Sequence, residues 1–160
     1  MNQSFFTRSR VFYWAAILVI TALGTAIRFY DLNDLPLDFN PTRQLRAAVI
    51  ARGMYYQTLD SIPQWQKEMA AEAWAAQGLI EPQIMERLAA ITYQLTGSES
   101  LLIPRVYAIL IWLLGAAALL LLARQVAGAD GAVAALLFFL LLPFGAVASR
   151  AFMPDPLMVT

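Results

Sequence analysis

The side chains able to do chemistry in this chain of 160 residues are carboxylates and arginines. It contains neither cysteine nor histidine, which excludes thiolate nucleophiles, zinc fingers, Ser-His-Asp triads and histidine acid-base catalysis. Three carboxylates fall in one short stretch, Asp31-Leu-Asn-Asp34-Leu-Pro-Leu-Asp38-Phe-Asn40-Pro-Thr-Arg43-Gln-Leu-Arg46. Glu81 precedes Pro82, and Asp155 lies between Pro154 and Pro156. A carboxylate at a membrane interface can take the proton from a hydroxyl while neighbouring guanidinium groups hold a lipid phosphate. Asp38 and Asp155 are the leading carboxylates for such work. The same residues also suit ordinary structure, Asp34 and Asp38 as turn formers and Asp155 as a helix cap. Arg43 and Arg46, three apart, share a helix face and could bind phosphate or anchor to anionic headgroups, whereas Arg52 falls elsewhere around the helix. Gly24, Gly53, Gly78 and Gly97 stand alone, so no glycine-rich phosphate loop is present.

The elements that must position these residues follow from where charge is missing. Hydrophobic residues make up 60% of the chain and charged residues 14%, against about 45–50% and 25% in soluble proteins. Eleven basic and eleven acidic residues cancel, which leaves no electrostatic footprint for nucleic acid. Three runs carry no charge, Val11 to Ile27, Val106 to Ala123 and Gly131 to Ser149. With snorkelling arginines at their ends, each can cross a hydrocarbon core of about 30 Å as a helix. None alternates with period two, as a barrel strand would. The expected fold is therefore an all-α integral membrane protein with three transmembrane helices and an outer loop of juxtamembrane helices. The first run also has features of a signal peptide, with Arg8 and Arg10 before it and Gly24-Thr25-Ala26 near its end, but its length favours a retained helix. Arg8, Arg10 and Arg124 place the N-terminus on the cytoplasmic side.

This predicts a cytoplasmic segment 1–10, a first span 11–28, an outer segment 29–101, a second span 102–124, a cytoplasmic link 125–130, a third span 131–149 and an outer tail 150–160. The protein would then be a multi-pass protein of the cell membrane. Within the outer segment, helices are expected over Thr42 to Thr58 and over Trp65 to Gln77, with a third opening at Glu81-Pro82 and stopped by Gly97. The third carries Ile84, Leu88, Ile91 and Leu95 as an apolar stripe, with Gln83, Glu86, Arg87 and Gln94 off it. That pattern suits a helix on a membrane surface or against another helix. Asp155 and Pro156 start a further helix of which only a few residues exist, too few to be stable alone. The chain is thus expected to be the N-terminal piece of a longer membrane protein.

The ordered set of these features resembles the N-terminal part of the GT-C membrane glycosyltransferases, the superfamily of the protein O-mannosyltransferases and the lipid A aminoarabinose transferase. The resemblance runs from Ile27-Arg28-Phe-Tyr through Pro36-Leu-Asp38-Phe-Asn40-Pro-Thr42-Arg43 and Ala47 to Gly53. It continues through Glu81-Pro82-Gln83, Leu88 to Gly97 and Pro104-Arg105 to Ser149-Arg150 and Pro154-Asp155-Pro156. It implies a GT-C fold and an inverting transfer of a sugar from a polyprenyl-phosphate donor to a hydroxyl of a protein or lipid acceptor at the outer face. It further implies a first-loop Asp as base and a second Asp after the third span. Family members commonly carry Asp-Glu before the Thr-Arg step, where this chain has Asn40 and Pro41, neither able to act as a base. Asp38 is the expected substitute, with Asp155 assisting and Arg43, Arg46, Arg150 and Glu81 contacting substrate or phosphate. Some members use a divalent metal, and Asp38, Glu81 and Asp155 could form an oxygen-only site suited to magnesium or manganese. Two alternatives stand beside this expectation, a catalytically silent relative that binds a polyprenyl-phosphate lipid and a membrane scaffold or transporter piece.

Overall fold

The computed structural model describes residues 5–7, 9–37 and 39–159. Secondary structure among them is entirely helical: α1 (Arg10–Phe29), α2 (Pro41–Tyr56), α3 (Gln64–Ala75), α4 (Ile84–Thr96), α5 (Leu102–Leu141), α6 (Pro143–Ala148) and α7 (Asp155–Val159) follow a short 3-10 turn at Phe5–Thr7. Two of these, Arg10–Phe29 and Leu102–Leu141, are long and apolar enough to cross a membrane. The chain divides into two compact units. The first comprises Met1–Leu32, Ile109–Arg150 and Asp155–Thr160, the second Asn33–Ala108 and Ala151–Pro154.

In the first unit, α5 is interrupted at Gly128, which takes φ 71° and ψ −168°, a region open essentially to glycine alone. The break reverses the chain. Trp112 and Phe139 would lie about 40 Å apart along a continuous helix, yet their rings stack with centroids 4.7 Å apart. Close approach at the turn also requires Gly131, where an added Cβ would sit 2.3 Å from that of Ala127. The link expected over 125–130 is thus one glycine joining two helical arms. The run expected as a continuous span over 131–149 is itself broken. Leu142 is extended (φ −61°, ψ 130°) and α6 starts at Pro143, because proline lacks the N–H that would continue the ladder and disfavours helix at the residue before it. Replacing Gly128 by Val should open the reversal. With labels on Leu114→Cys and Phe138→Cys, the hairpin predicts a separation under about 20 Å, and a straightened helix about 36 Å; an unchanged short distance in Gly128→Val would contradict the role of the glycine.

Tyr13 and Ile20 of α1 pack with Trp112, Ala116, Val133, Leu136 and Leu140 to form the core of this unit. Gly24 lets α1 approach, since a Cβ there would come within 2.9 Å of the Leu140 Cβ. One turn later, Arg28 is fully buried. Its Nε donates to Ser149 Oγ at 2.7 Å and its Nη1 to the carbonyls of Gly24 at 2.7 Å and Leu140 at 2.8 Å. Leu140 lies in the last turn of α5, where carbonyls lack helical donors, so Arg28 supplies what the chain break removes. The other faces of α1, including Val11, Phe12, Leu18 and Leu23, are exposed, as suits a helix facing lipid.

The second unit is built on α2. Pro41 occupies its first turn after Asn40 in the left-handed region, a start that tolerates the missing proline N–H. Gly53 admits α3 closely, because a Cβ there would meet the Trp74 Cβ at 2.7 Å. Trp74 Nε1 then donates to Gln83 Oε1 at 3.2 Å. α4 begins at Ile84, beyond Pro82, and ends at Gly97 with φ 66°, a left-handed C-cap.

Of the two arrangements expected for the α4 stripe, packing against another helix of this unit is not what is found. Met85, Glu86, Ala89, Ala90 and Tyr93 are buried, while Ile84, Leu88, Ile91 and Leu95 are exposed. The close-packed side selects alanines, which let helix backbones approach, and the larger apolar residues are left outward. The stripe read as apolar is therefore a surface of this unit, and Glu86 is interior.

Candidate functional site

Asp38 lies outside the described residues, but its flanks are positioned. Leu37 N donates to Leu35 O at 2.8 Å, and on the other side Gln44 Nε2 donates to the Phe39 carbonyl. Gln44 is 2% exposed, and its Oε1 accepts from Phe152 N at 3.2 Å. One buried amide from the first turn of α2 therefore ties the segment next to Asp38 to the Ala151–Pro154 segment that precedes Asp155. Both functions of the amide, donor and acceptor, are used. Gln44 is not among the residues expected at the site; it lies on the buried side of α2, away from the exposed Arg43. Asp34 contributes its backbone: its carbonyl accepts from Arg105 Nη1 at 2.6 Å.

Glu81 joins two of the expected arginines. Arg43 Nη2 lies 3.1 Å from Oε2 and Arg46 Nη1 lies 3.5 Å from Oε1. Arg46 also donates to the carbonyls of Gln77 and Gly78, from Nη2 at 3.3 and 3.1 Å. These groups directly follow α3, so Arg46 works as a cap on its end. Its side chain is 15% exposed and that of Arg43 is 44% exposed. Arg43 is thus the more exposed of the pair, and Glu81 touches both. A carboxylate with both oxygens near guanidinium groups is a poor place for a dication, and no group of three or more acidic residues gathers as metal ligands among the described residues. Arg52, on another part of α2, pairs with Glu99.

Asp155 and Arg150 belong to the first unit. Asp155 is the first residue of α7 with Pro156 following it, and Arg150 Nη1 donates to the Tyr30 carbonyl.

Glu86, off the apolar stripe as expected, lies on the packed face of α4. It is 1% exposed, and its Oε2 has no hydrogen-bond partner. Burial pushes its carboxyl above the ordinary 4.5; the charge of Glu81 adds to this, while its own backbone N–H and Arg46 act the other way. The folded state then holds a proton that the unfolded chain releases, so stability falls as pH rises above about 4.5 until the folded group ionises. Glu86→Gln should remove that fall and unfold at higher denaturant near neutral pH; identical midpoints for both proteins from pH 4.5 to 8 would show that the carboxyl is not protonated on folding. Tyr93, pushed up to about 12 by burial, stays protonated near neutral pH and packs edge-on against Tyr55.

Comparison of the chain with protein families, curated proteins and solved structures yields no match to a family model, a curated protein or a solved structure.

Proposed function

We propose that this chain supplies the donor-phosphate and base-bearing part of an inverting membrane glycosyltransferase that uses a polyprenyl-phosphate-linked sugar. In this reading α1, the first arm of α5, and its second arm continued by α6 cross the bilayer with the N-terminus inside, and residues 29–101 lie outside. The observation that carries the proposal is the Gln44 tether. It holds together, within one unit, the backbone beside Asp38 and the segment leading to Asp155; Asp155 falls where the GT-C resemblance expects an acidic residue, and Asp38 lies two residues before the step where the family carries its acidic pair.

Asp38 takes the proton of the acceptor hydroxyl as the sugar leaves its phosphate, and Asp155 assists in positioning. Arg43, steadied by Glu81, contacts the phosphate, whose charge grows as the glycosidic bond breaks. Arg46 serves this indirectly by fixing the end of α3 beside Glu81. No step is routed through a metal, because Glu81 is engaged by arginines. Asn40 and Pro41, in place of an acidic pair, favour a second reading in which the protein binds a polyprenyl-phosphate lipid without transferring sugar.

Binding and transfer measured side by side in lipid bilayers separate the two. Arg43→Gln is expected to weaken donor binding about 10- to 100-fold, the scale of a charge-assisted hydrogen bond. Donor binding with transfer supports the enzyme, and binding alone supports the silent relative. Donor affinity equal in wild type and Arg43→Gln would remove Arg43 from the phosphate site.

A further inference from the structure

At the other end of α1 from Arg28, the first unit has a second basic site. A cavity of about 390 Å³ is lined by Phe6, Arg10, Tyr13, Trp14, Arg124 and Ala129. Its two arginines come from places far apart in sequence, the first turn of α1 and the α5 arm leading to Gly128. The Arg124 guanidinium lies over the Tyr13 ring, 5.3 Å from its centroid. Stacking occupies the face of the cation and leaves its in-plane N–H groups available. Neither Arg10 nor Arg124 has a carboxylate partner among the described residues. The nearby acid is directed elsewhere, since Asp130 accepts from the backbone N–H groups of Phe5 at 2.8 Å and Phe6 at 2.9 Å. That bond draws the N-terminal turn over the cavity, so Phe6 forms one of its walls. The positive end of the α1 dipole adds to the field at Arg10.

We propose that this cavity binds a phosphate group through the forks of Arg10 and Arg124, with Tyr13, Trp14 and Phe6 as its apolar walls. Two sources carry that chemistry, the headgroup of an anionic phospholipid and free inorganic phosphate. Aromatic residues beside arginines at the end of an apolar helix match the headgroup layer of a bilayer, where basic clusters attract anionic lipid. The site does not depend on sugar transfer, and it rests only on α1 and α5 lying in a bilayer.

The test uses the full chain in nanodiscs of phosphatidylcholine containing an equal amount of phosphatidylglycerol, and in phosphatidylcholine alone with radiolabelled inorganic phosphate. Native mass spectrometry counts retained lipid. R10Q/R124Q is compared with R52Q/R87Q, which removes the same formal charge elsewhere, and with R10K/R124K, which keeps charge but loses the planar fork. Wild type and R52Q/R87Q are expected to retain phosphatidylglycerol at least about 10-fold over phosphatidylcholine, with R10Q/R124Q losing the preference and R10K/R124K intermediate. Phosphate bound in the neutral discs and lost in R10Q/R124Q would support the same site with free phosphate as its source. Equal retention of both lipids by wild type together with no phosphate binding overturns the proposal, as does equal loss in R52Q/R87Q. If R10Q/R124Q fails to incorporate, R10K/R124K decides alone, and wild-type behaviour there counts against the fork. Resistance of the wild type to alkaline extraction is measured first, so that failure of membrane insertion is distinguished from failure of the site.

Discussion

Asp38→Asn is expected to lower sugar-transfer turnover by about 10²- to 10⁴-fold, the usual contribution of a positioned general base. The substitution preserves size and hydrogen-bonding capacity and removes the ability to accept a proton, so donor affinity and membrane insertion should stay near wild type. The size of the effect comes from the lack of a substitute beside it in sequence: Asn40 and Pro41 cannot take a proton, and Glu81 is engaged by Arg43 and Arg46. Loss of donor binding in step with turnover would mean instead that Asp38 supports the loop. The control is Gln44→Leu, which removes the amide bonded to Phe39 and Phe152. It should lower turnover without altering the pH dependence that belongs to the base. Unchanged turnover in Asp38→Asn would take Asp38 out of the mechanism.

The largest expected effect on stability is at Arg28. Arg28→Met fills much of the same volume but leaves the Ser149 hydroxyl and the Leu140 carbonyl without their donor, deep in the first unit. The loss is expected to be about 2–4 kcal/mol, from two or three charge-assisted hydrogen bonds weighed against the modest net value of polar contacts in membrane proteins. The Gly24 carbonyl contributes least, because it lies within α1 and has helical partners. Removing a buried cation also relieves desolvation, and Arg28 Nη2 has no partner to lose. For both reasons the lower end of the range is a real outcome. Ser149→Ala should cost less than Arg28→Met. Unfolding in detergent checks the order, and an Arg28→Met protein as stable as wild type would contradict the clasp.

Much of the helical layout was legible in the sequence because charge distribution and proline and glycine punctuation act locally. The uncharged runs marked the two long helices, and α2 and α3 begin within a residue or so of the expected points. What was not legible depended on partners. The pattern on α4 has helical period on either side, and no local rule says that the alanine face is packed while Ile84, Leu88 and Ile91 look outward. The burial of Glu86 follows from the same packing and has no local signal either. At 125–130, composition indicated a link but not that Gly128 alone would reverse the chain, since a single left-handed torsion leaves no hydrophobic pattern. Pro143 lies within the third uncharged run, and hydropathy alone does not register the break that proline makes there. Among the candidate site residues, the spacing of Arg43 and Arg46 implied a shared face, but the division of labour between them depends on where α3 ends. Gln44 had no signal beyond its position, because a buried amide is recognised only by the backbone groups it joins.

The central claim is that this chain takes part in inverting transfer from a polyprenyl-phosphate sugar. Its most direct test is to offer the intact enzyme containing this chain, in lipid bilayers, a panel of polyprenyl-phosphate monosaccharides with hydroxyl acceptors and to determine the amount and anomeric configuration of the product. The account predicts product of inverted configuration with at least one donor, abolished by Asp38→Asn and reduced by Arg43→Gln. Inserted, folded protein that gives no product with any donor, or a product of retained configuration, would contradict it.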